Sequence, residues 1–295
     1  MSSMMDGIIV KAYGGFYFVS SGGRVWRCTP RGVFRHRNIS PLVGDRVSLS
    51  ARGRDQGVVE EVYPRRNALL RPPVANVDRS VIVFAVKEPD PILALLDRFL
   101  LQAAAEEVRP VICFNKIDLA GGTFPEYVKA YQDAGYTVLL TSAGSGAGVD
   151  SLREILREGI TVFAGPSGAG KSSLLNAVQP GLSLKTGEVG QKLKRGRHTT
   201  RHVELLQLSG GGLVADTPGF STLFLPDLKR EDLAYFYPEI ERHMGGCRFS
   251  GCLHRAEPDC AVKDALERNE IDSGRYQRYM EILGDIIERE RNCQR

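Results

Sequence analysis

Apolar residues in the first sixty positions fall in short runs at 7–10, 16–19, 24–28, 45–49 and 58–62, separated by Gly14-Gly15, Gly22-Gly23 and Gly53. Brief strand-like runs bounded by glycine are strand and turn signals. Five such strands in about 65 residues predict a small closed barrel. An oligonucleotide/oligosaccharide-binding (OB-fold) barrel is preferred, although an SH3-like barrel has nearly the same signature. The next stretch, 63–73, holds Pro64, Pro72, Pro73, Arg65, Arg66 and Arg71 without a periodic run, and reads as a linker.

Beyond it the pattern changes. Continuous apolar strands at 80–86, 111–114, 137–140 and 161–164 alternate with helix-compatible segments at 91–107, 125–134 and 149–157. Buried strands separated by helices predict an α/β unit with a mainly parallel sheet covered on both faces. After about residue 222 the strands stop, and helical segments at 229–242, 262–269 and 275–290 remain. The expected organisation is a basic OB-fold-like β-barrel with linker at 1–72, an α/β unit at 73–222 and a small helical unit at 223–295.

The chain has 295 residues, 42% of them apolar, enough for two or three cores. Residues 1–10 lack the basic start and apolar core of a secretory signal, and no apolar run approaches the ~18 residues of a membrane span. A cytoplasmic protein with no membrane contact is therefore expected. Charge is uneven: residues 1–72 carry 12 Lys+Arg against 5 Asp+Glu, a net +7, which leaves 27 against 30 in the remainder, a net −3. Clustered cations at one end suit an RNA-rich partner, because they gain affinity by releasing phosphate counterions. A merely solvated basic surface is the plainer alternative.

Gly165-Pro166-Ser167-Gly168-Ala169-Gly170-Lys171-Ser172 follows the apolar strand at 160–164 and precedes helix-compatible Ser173 and its successors. Strand, glycine-rich loop and helix are the context a phosphate loop requires. Glycines let backbone N–H groups wrap the phosphates at a helix N-terminus. Lys171 is expected on the β- and γ-phosphates, and Ser172 on Mg²⁺.

Asn115-Lys116-Ile117-Asp118 stands at the carboxyl end of the strand at 111–114, where open α/β sheets hold ligands. A carboxylate at Asp118 accepts hydrogen bonds from guanine N1–H and N2–H₂, which adenine cannot supply, so GTP or GDP is favoured. Thr141-Ser142-Ala143, after the strand at 137–140, offers backbone N–H groups to the guanine O6; Ser142 and Ala143 are counted with the site. The base-reading loop precedes the phosphate loop, so the order of the motifs is permuted. An ATP-using kinase, in which Asn-Lys-Ile-Asp is accidental, is the rival reading.

Asp216-Thr217-Pro218-Gly219 follows the strand at 213–215; Asp216 is expected to hold Mg²⁺ through water, and Gly219 to sense the γ-phosphate. Phe220 stands where many GTPases place a water-orienting glutamine. Between the motifs, 184–201 carries Lys185, Lys192, Lys194, Arg195, Arg197, Arg201, His198 and Thr199-Thr200. A threonine there can close the Mg²⁺ shell, and His198 beside it can position the attacking water. A solvated basic loop accounts for most of these residues equally well.

Six cysteines occur, three of them crowded as Cys247-x4-Cys252-x-His254-x5-Cys260. Three thiolates and an imidazole match a closed Cys₃His zinc site of structural type, with a disulfide or cysteines used only for packing as the alternatives.

Together these residues resemble the RsgA family, the circularly permuted, ribosome-dependent GTPases of small ribosomal subunit biogenesis. The likeness runs through the basic barrel, Asn-Lys-Ile-Asp, the phosphate loop, Gly196-Arg197-His198-Thr199-Thr200, Asp-Thr-Pro-Gly-Phe and the Cys₃His cluster. It implies an OB-fold, a central GTPase and a zinc domain, acting in late 30S maturation with hydrolysis stimulated by that particle. Contact with 16S rRNA, a monomer in solution, one structural Zn²⁺, Mg²⁺ with GTP, and a switch histidine at His198 are further implications. Pro166 and Ala169 differ from residues common in the family and supply no required side chain.

Overall fold

The computed structural model describes residues 4–36, 40–70, 72–122, 124–182, 203–216 and 226–293. Five strands, β1 (Met4–Tyr13), β2 (Phe16–Ser21), β3 (Arg24–Pro30), β4 (Arg46–Ala51) and β5 (Gln56–Val62), close a barrel in the order β1-β2-β3-β5-β4-β1. The short helix α1 (Val33–His36) lies between β3 and β4 in the chain. Four pairings are antiparallel, whereas β3 and β5 run parallel, from Arg27↔Gln56 to Pro30↔Val59. A Greek-key barrel closed by parallel third and fifth strands is the OB topology, which an all-antiparallel SH3-like barrel does not have. Ile9, Val19, Trp26, Cys28, Val47, Leu49 and Val59 fill its interior.

The stretch expected to be a plain linker contains a hairpin, β6 (Ala68–Leu70) and β7 (Pro73–Ala75). Three-residue strands are too short to show a period, and Pro73 takes the first position of its strand, where a missing N–H is tolerated. The alternation is nevertheless there: Leu69 is buried and Leu70 points to solvent.

The second unit is a sheet ordered β10-β9-β8-β11-β13-β12, built from β8 (Arg79–Ala85), β9 (Arg109–Asn115), β10 (Thr137–Leu140), β11 (Ile160–Ala164), β12 (Glu204–Gln207) and β13 (Leu213–Asp216). Its pairings are parallel except the antiparallel β12–β13. Successive residues of a strand face opposite sides. Ile82, Phe84, Ile112 and Phe114 therefore share one core with Leu96 and Phe99 of α2 (Leu93–Ala105) and Val128 and Tyr131 of α3 (Glu126–Asp133). Val81, Val83, Val111 and Cys113 share the other with Leu152 of α4 (Val149–Ile155) and Leu174 and Leu175 of α5 (Lys171–Val178). Burial on both faces explains why these strands read as unbroken apolar runs.

The third unit holds a 3₁₀ segment Arg230–Phe236, then α6 (Pro238–Met244), α7 (Ala261–Glu267) and α8 (Ser273–Cys293). One helix was expected over 229–242. It is broken at Tyr237 (ψ 95°), because a residue before proline is pushed out of the helical region and Pro238 lacks the N–H needed inside a helix. No described helix is long and apolar enough to cross a membrane.

A buried charge cluster fastens this unit to the sheet. Asp97 of α2 accepts hydrogen bonds from Arg275 Nη1 at 2.5 Å, Arg278 Nε at 2.5 Å and Tyr131 Oη at 2.6 Å. Arg275 also donates from Nε to Glu239 Oε1 at 2.7 Å, and its guanidinium lies over the rings of Tyr131, Tyr136 and Tyr237. Burial opposes the charge on Arg275, yet Asp97 and Glu239 outweigh it and hold its pKa well above the ordinary guanidinium value. Removing one member leaves uncompensated charge in a dry site. Asp97→Ala is thus expected to cost about 3–5 kcal/mol of stability, read from the urea midpoint; a loss below about 1 kcal/mol would contradict the assignment.

Candidate functional site

The loops that follow β8, β9, β10 and β11 emerge on one edge of the sheet, the carboxyl ends of its parallel strands, where β13 also ends. After β11 the phosphate-loop sequence turns sharply and enters α5. Gly165 adopts φ +123°, and a Cβ there would lie 2.1 Å from the Val83 carbonyl oxygen of the neighbouring strand. Only glycine fits. Gly170 (φ +93°) leaves room for the Asn115 carboxamide, which a Cβ would approach to 2.3 Å. Lys171 donates to the carbonyls of Gly165 and Pro166, both at 2.8 Å, and burial lowers its pKa. Ser167 and Gly168 are exposed, Ala169 is buried, Ser172 is half-buried in the first turn of α5, and Ser173 is exposed beside it.

Asn115 joins three loops. Its Nδ2 donates to the Ala169 carbonyl at 2.9 Å, and its Oδ1 accepts from Thr141 Oγ1 at 3.2 Å and from the Ala143 N–H at 3.3 Å. The Cys113 sulfur lies 3.2 Å behind Thr141 Oγ1. A buried carboxamide hydrogen-bonded through both its nitrogen and its oxygen fixes the phosphate loop, the base-reading loop and the 141–143 loop relative to one another. Lys116 takes a left-handed conformation (φ 61°) and reaches the Glu88 carbonyl, while half-buried Ile117 packs against the core. Asp118 is exposed. Ser142 is buried, donating its N–H to the Ala147 carbonyl and accepting from the Ser145 N–H through Oγ.

Between these loops lies an open cleft of about 410 Å³, lined by Asn115, Lys116, Asp118, Ala143, Gly170 and Ser173, among others. A cleft of this size suits a nucleotide-sized ligand. Asn176, Ala177 and Gly144 also line it, unanticipated from the sequence, since they belong to no motif weighed there. The turn at 87–90 was missed too: Pro89 lies against Gly168 and Glu88 holds Lys116. Asp216 ends β13 as the Cα partner of Glu204. His198, Thr199, Thr200 and Gly219 lie outside the described residues.

Cys247, Cys252, His254 and Cys260 converge, with their ligand atoms within 4.8 Å of one another. The Sγ···Sγ separations are 3.9 Å (Cys247–Cys260) and 3.8 Å (Cys252–Cys260), and His254 Nδ1 lies 3.5 and 3.4 Å from Cys247 and Cys260. Metal–sulfur bonds of about 2.3 Å in a tetrahedron separate two sulfurs by about 3.8 Å, so the cluster fits a four-coordinate metal ion. The Glu257 carboxylate accepts backbone N–H groups of Leu253, Arg255 and Ala256, and the Tyr276 and Tyr279 hydroxyls donate to the carbonyls of His254 and Leu253. These contacts pin the ligand loop to α8.

A sheet whose phosphate-loop strand is central, with its base-reading strands supplied from earlier in the chain, defines a circularly permuted P-loop GTPase, here preceded by an OB barrel. Family models for the RsgA GTPase and the RsgA N-terminal domain match residues 62–226 and 6–59. The chain belongs to the RsgA GTPase family and is a GTP hydrolase. It is 50% identical over 288 residues to the small ribosomal subunit biogenesis GTPase RsgA of Moorella thermoacetica, covering 98% of this chain and 99% of that one. The protein of that name from Geobacillus sp. is 48% identical over 290 residues, with 97% and 99% covered. Among solved structures, YloQ, described as a circularly permuted GTPase, superposes with a TM-score of 0.83 at 40% identity, over 97% of this chain and 96% of that one. YjeQ from Thermotoga maritima gives 0.84 at 35%, over 97% and 99%.

Gly170→Ala should displace Asn115 and lower GDP and GTP affinity by about ten-fold or more, measured by titration of a fluorescent nucleotide; unchanged affinity would show that the close approach is dispensable. If the cluster holds a metal ion, adding a chelator, or Cys252→Ser, should lower the melting temperature of the helical unit, since metal binding there would be folding energy. An unaltered melt would contradict a metal-held loop.

Proposed function

We propose that the chain hydrolyses GTP to GDP and phosphate in the late maturation of the small ribosomal subunit, with the 30S particle stimulating hydrolysis and 16S rRNA in contact with the barrel. The observation that carries this is the Asn115 carboxamide, which joins a guanine-type loop and a phosphate loop into one cleft. The reading is further supported by relatives that match nearly the whole chain and bear the name of small-subunit biogenesis GTPases.

In this reading Asp118 accepts from guanine N1–H and N2–H₂, Lys116 lies along the base plane, and the Ser142–Ala143 backbone meets O6. The N–H groups of 165–172 cradle the phosphates, with Lys171 on the β- and γ-oxygens. Ser172, in the first turn of α5, and Asp216, at the end of β13 beside β11, supply hard oxygen donors, a donor set suited to Mg²⁺, with Asp216 acting through water. Mg²⁺ held there would supply charge neutralisation on the phosphate oxygens. Thr199 or Thr200 completes that shell, Gly219 senses the γ-phosphate, and His198 orients the attacking water in place of the missing glutamine. Three thiolates and an imidazole favour zinc at the Cys/His cluster, in a structural role.

For the barrel, the guanidinium of exposed Arg27 lies 3.8 Å over the Phe16 ring, and Arg52 and Arg54 stand exposed in the β4–β5 loop. Cations interleaved with aromatics suit RNA phosphates and bases, and this is the face that OB barrels use. Action on the ribosomal particle implies a cytoplasmic protein, and a monomer is the oligomeric state we propose for it.

Turnover measured with purified 30S, 50S and no particle tests the proposal. Stimulation by 30S alone is expected, with labelled GTP displaced by GDP and not by ADP. A rate indifferent to 30S would refute the ribosomal reading, and displacement by ADP the guanine assignment. In single turnover His198→Ala is expected to slow hydrolysis about ten-fold or more at normal GTP affinity. An unchanged rate would place water positioning elsewhere.

A further inference from the structure

Among the described residues, hydrogen-bonded pairing joins the barrel to the GTPase sheet at two places of different character. At the linker the joint is built from buried backbone and a paired carboxylate. Val43 bridges Val74, the Ala75 N–H donates to the Val43 carbonyl at 2.8 Å, and Asn76 Nδ2 donates to the Gly44 carbonyl at 3.0 Å. Fully buried Asp45 accepts two hydrogen bonds from Arg65, at 2.7 and 2.8 Å. Such a joint does not come apart without exposing unpaired groups.

The second attachment is narrow. β1 pairs with β4 from Met4 to Ile8, undergoes a register shift against β2 between Ile9 and Lys11, and then pairs with β12 through one position, Lys11↔Glu204. Bulges of this kind bend a strand and re-aim its side chains. Here the strand leaves the barrel seam and meets the edge of the GTPase sheet. Lys11 Nζ lies 2.8 Å from Glu204 Oε2, and both side chains are about one-third exposed (37% and 34%). Ion pairs of that exposure are weak and readily exchanged for water.

β12 is also the strand that follows the basic stretch containing His198, Thr199 and Thr200, and Glu204 is the direct cross-strand partner of Asp216. Lys11, Glu204 and Asp216 thus stand in one row across three neighbouring strands. A barrel secured by a firm joint at the linker and a weak contact at β12 transmits force applied to it to the weak contact.

We infer that Lys11 and Glu204 relay stimulation and take no part in intrinsic hydrolysis: their pair is a latch through which an RNA-bearing partner on the barrel acts on β12, and through it on Asp216. The inference rests on the reading that 30S stimulates hydrolysis and that Asp216 serves the Mg²⁺–GTP site. The latch adds nothing to nucleotide binding itself. It matters when the barrel is loaded.

The test compares the full-length wild type, Lys11→Glu, Glu204→Lys and the doubly exchanged chain at saturating 30S. Each single variant should keep intrinsic hydrolysis and 30S affinity but lose about five-fold or more of the stimulated kcat, and the exchange should restore most of it. Amide exchange over 203–208 should respond to 30S in the wild type and the exchanged chain, and not in the single variants. The latch is refuted if both single variants are stimulated like the wild type, or if the exchange rescues nothing. A wild type that 30S does not stimulate overturns the functional reading itself, and the latch with it.

Discussion

The site depends on one buried carboxamide whose nitrogen and oxygen are both hydrogen-bonded inside the protein. Asn115 has no freedom to serve a ligand first and the fold second, because Ala169, Thr141 and Ala143 already claim both ends of its side chain. Three loops that are far apart in the sequence are held in register by contacts within the protein itself. The parallel sheet makes this possible by delivering them to a common edge, and the glycines at 165 and 170 make it sterically allowed. Cutting the chain at a different place leaves these contacts intact. A permuted order of motifs is therefore compatible with an ordinary guanine-nucleotide cleft.

The same permutation decides what is attached where. The strand that begins the GTPase sheet is approached from the barrel, and the strand ending in Asp216 is followed in sequence by the helical unit. That unit is not tethered by sequence alone: the Asp97–Arg275–Glu239 cluster binds it to α2 and α3, on the side of the sheet that reads the base. Arg242 strengthens the contact by donating to the carbonyls of Asp133 and Ala134 at the end of α3. The helical unit is not free to swing, because the buried charges resist separation from their partners. The barrel is held by a buried joint at the linker and by a partly exposed ion pair at β12.

Much of this was legible in the sequence, for reasons that differ by element. The phosphate loop, Asn-Lys-Ile-Asp and the Cys₃His set are local patterns in which residue type and spacing determine the chemistry, and the structure brings each together. The α/β grammar was legible because strands buried on both faces must be apolar throughout. The β6–β7 hairpin was not, since three residues cannot show a period and proline argued against a strand. The break at Tyr237 follows from Pro238, a signal that was present and overridden by the helical pattern around it. Arg275 and Asp97 look like ordinary solvated charges on helices; only tertiary contact reveals them as buried partners. The parallel β3–β5 closure that separates an OB barrel from an SH3-like one likewise leaves no mark on any single strand.

Amide hydrogen exchange over residues 165–172, compared between wild type and Asn115→Ala without nucleotide, tests the central claim most directly. If Asn115 holds the phosphate loop in place as well as the base-reading loop, these amides should exchange faster in the variant before GTP is added. Equal exchange in the two proteins, with GTP affinity lost in the variant, would mean that Asn115 serves the base alone and that something else holds the loops together.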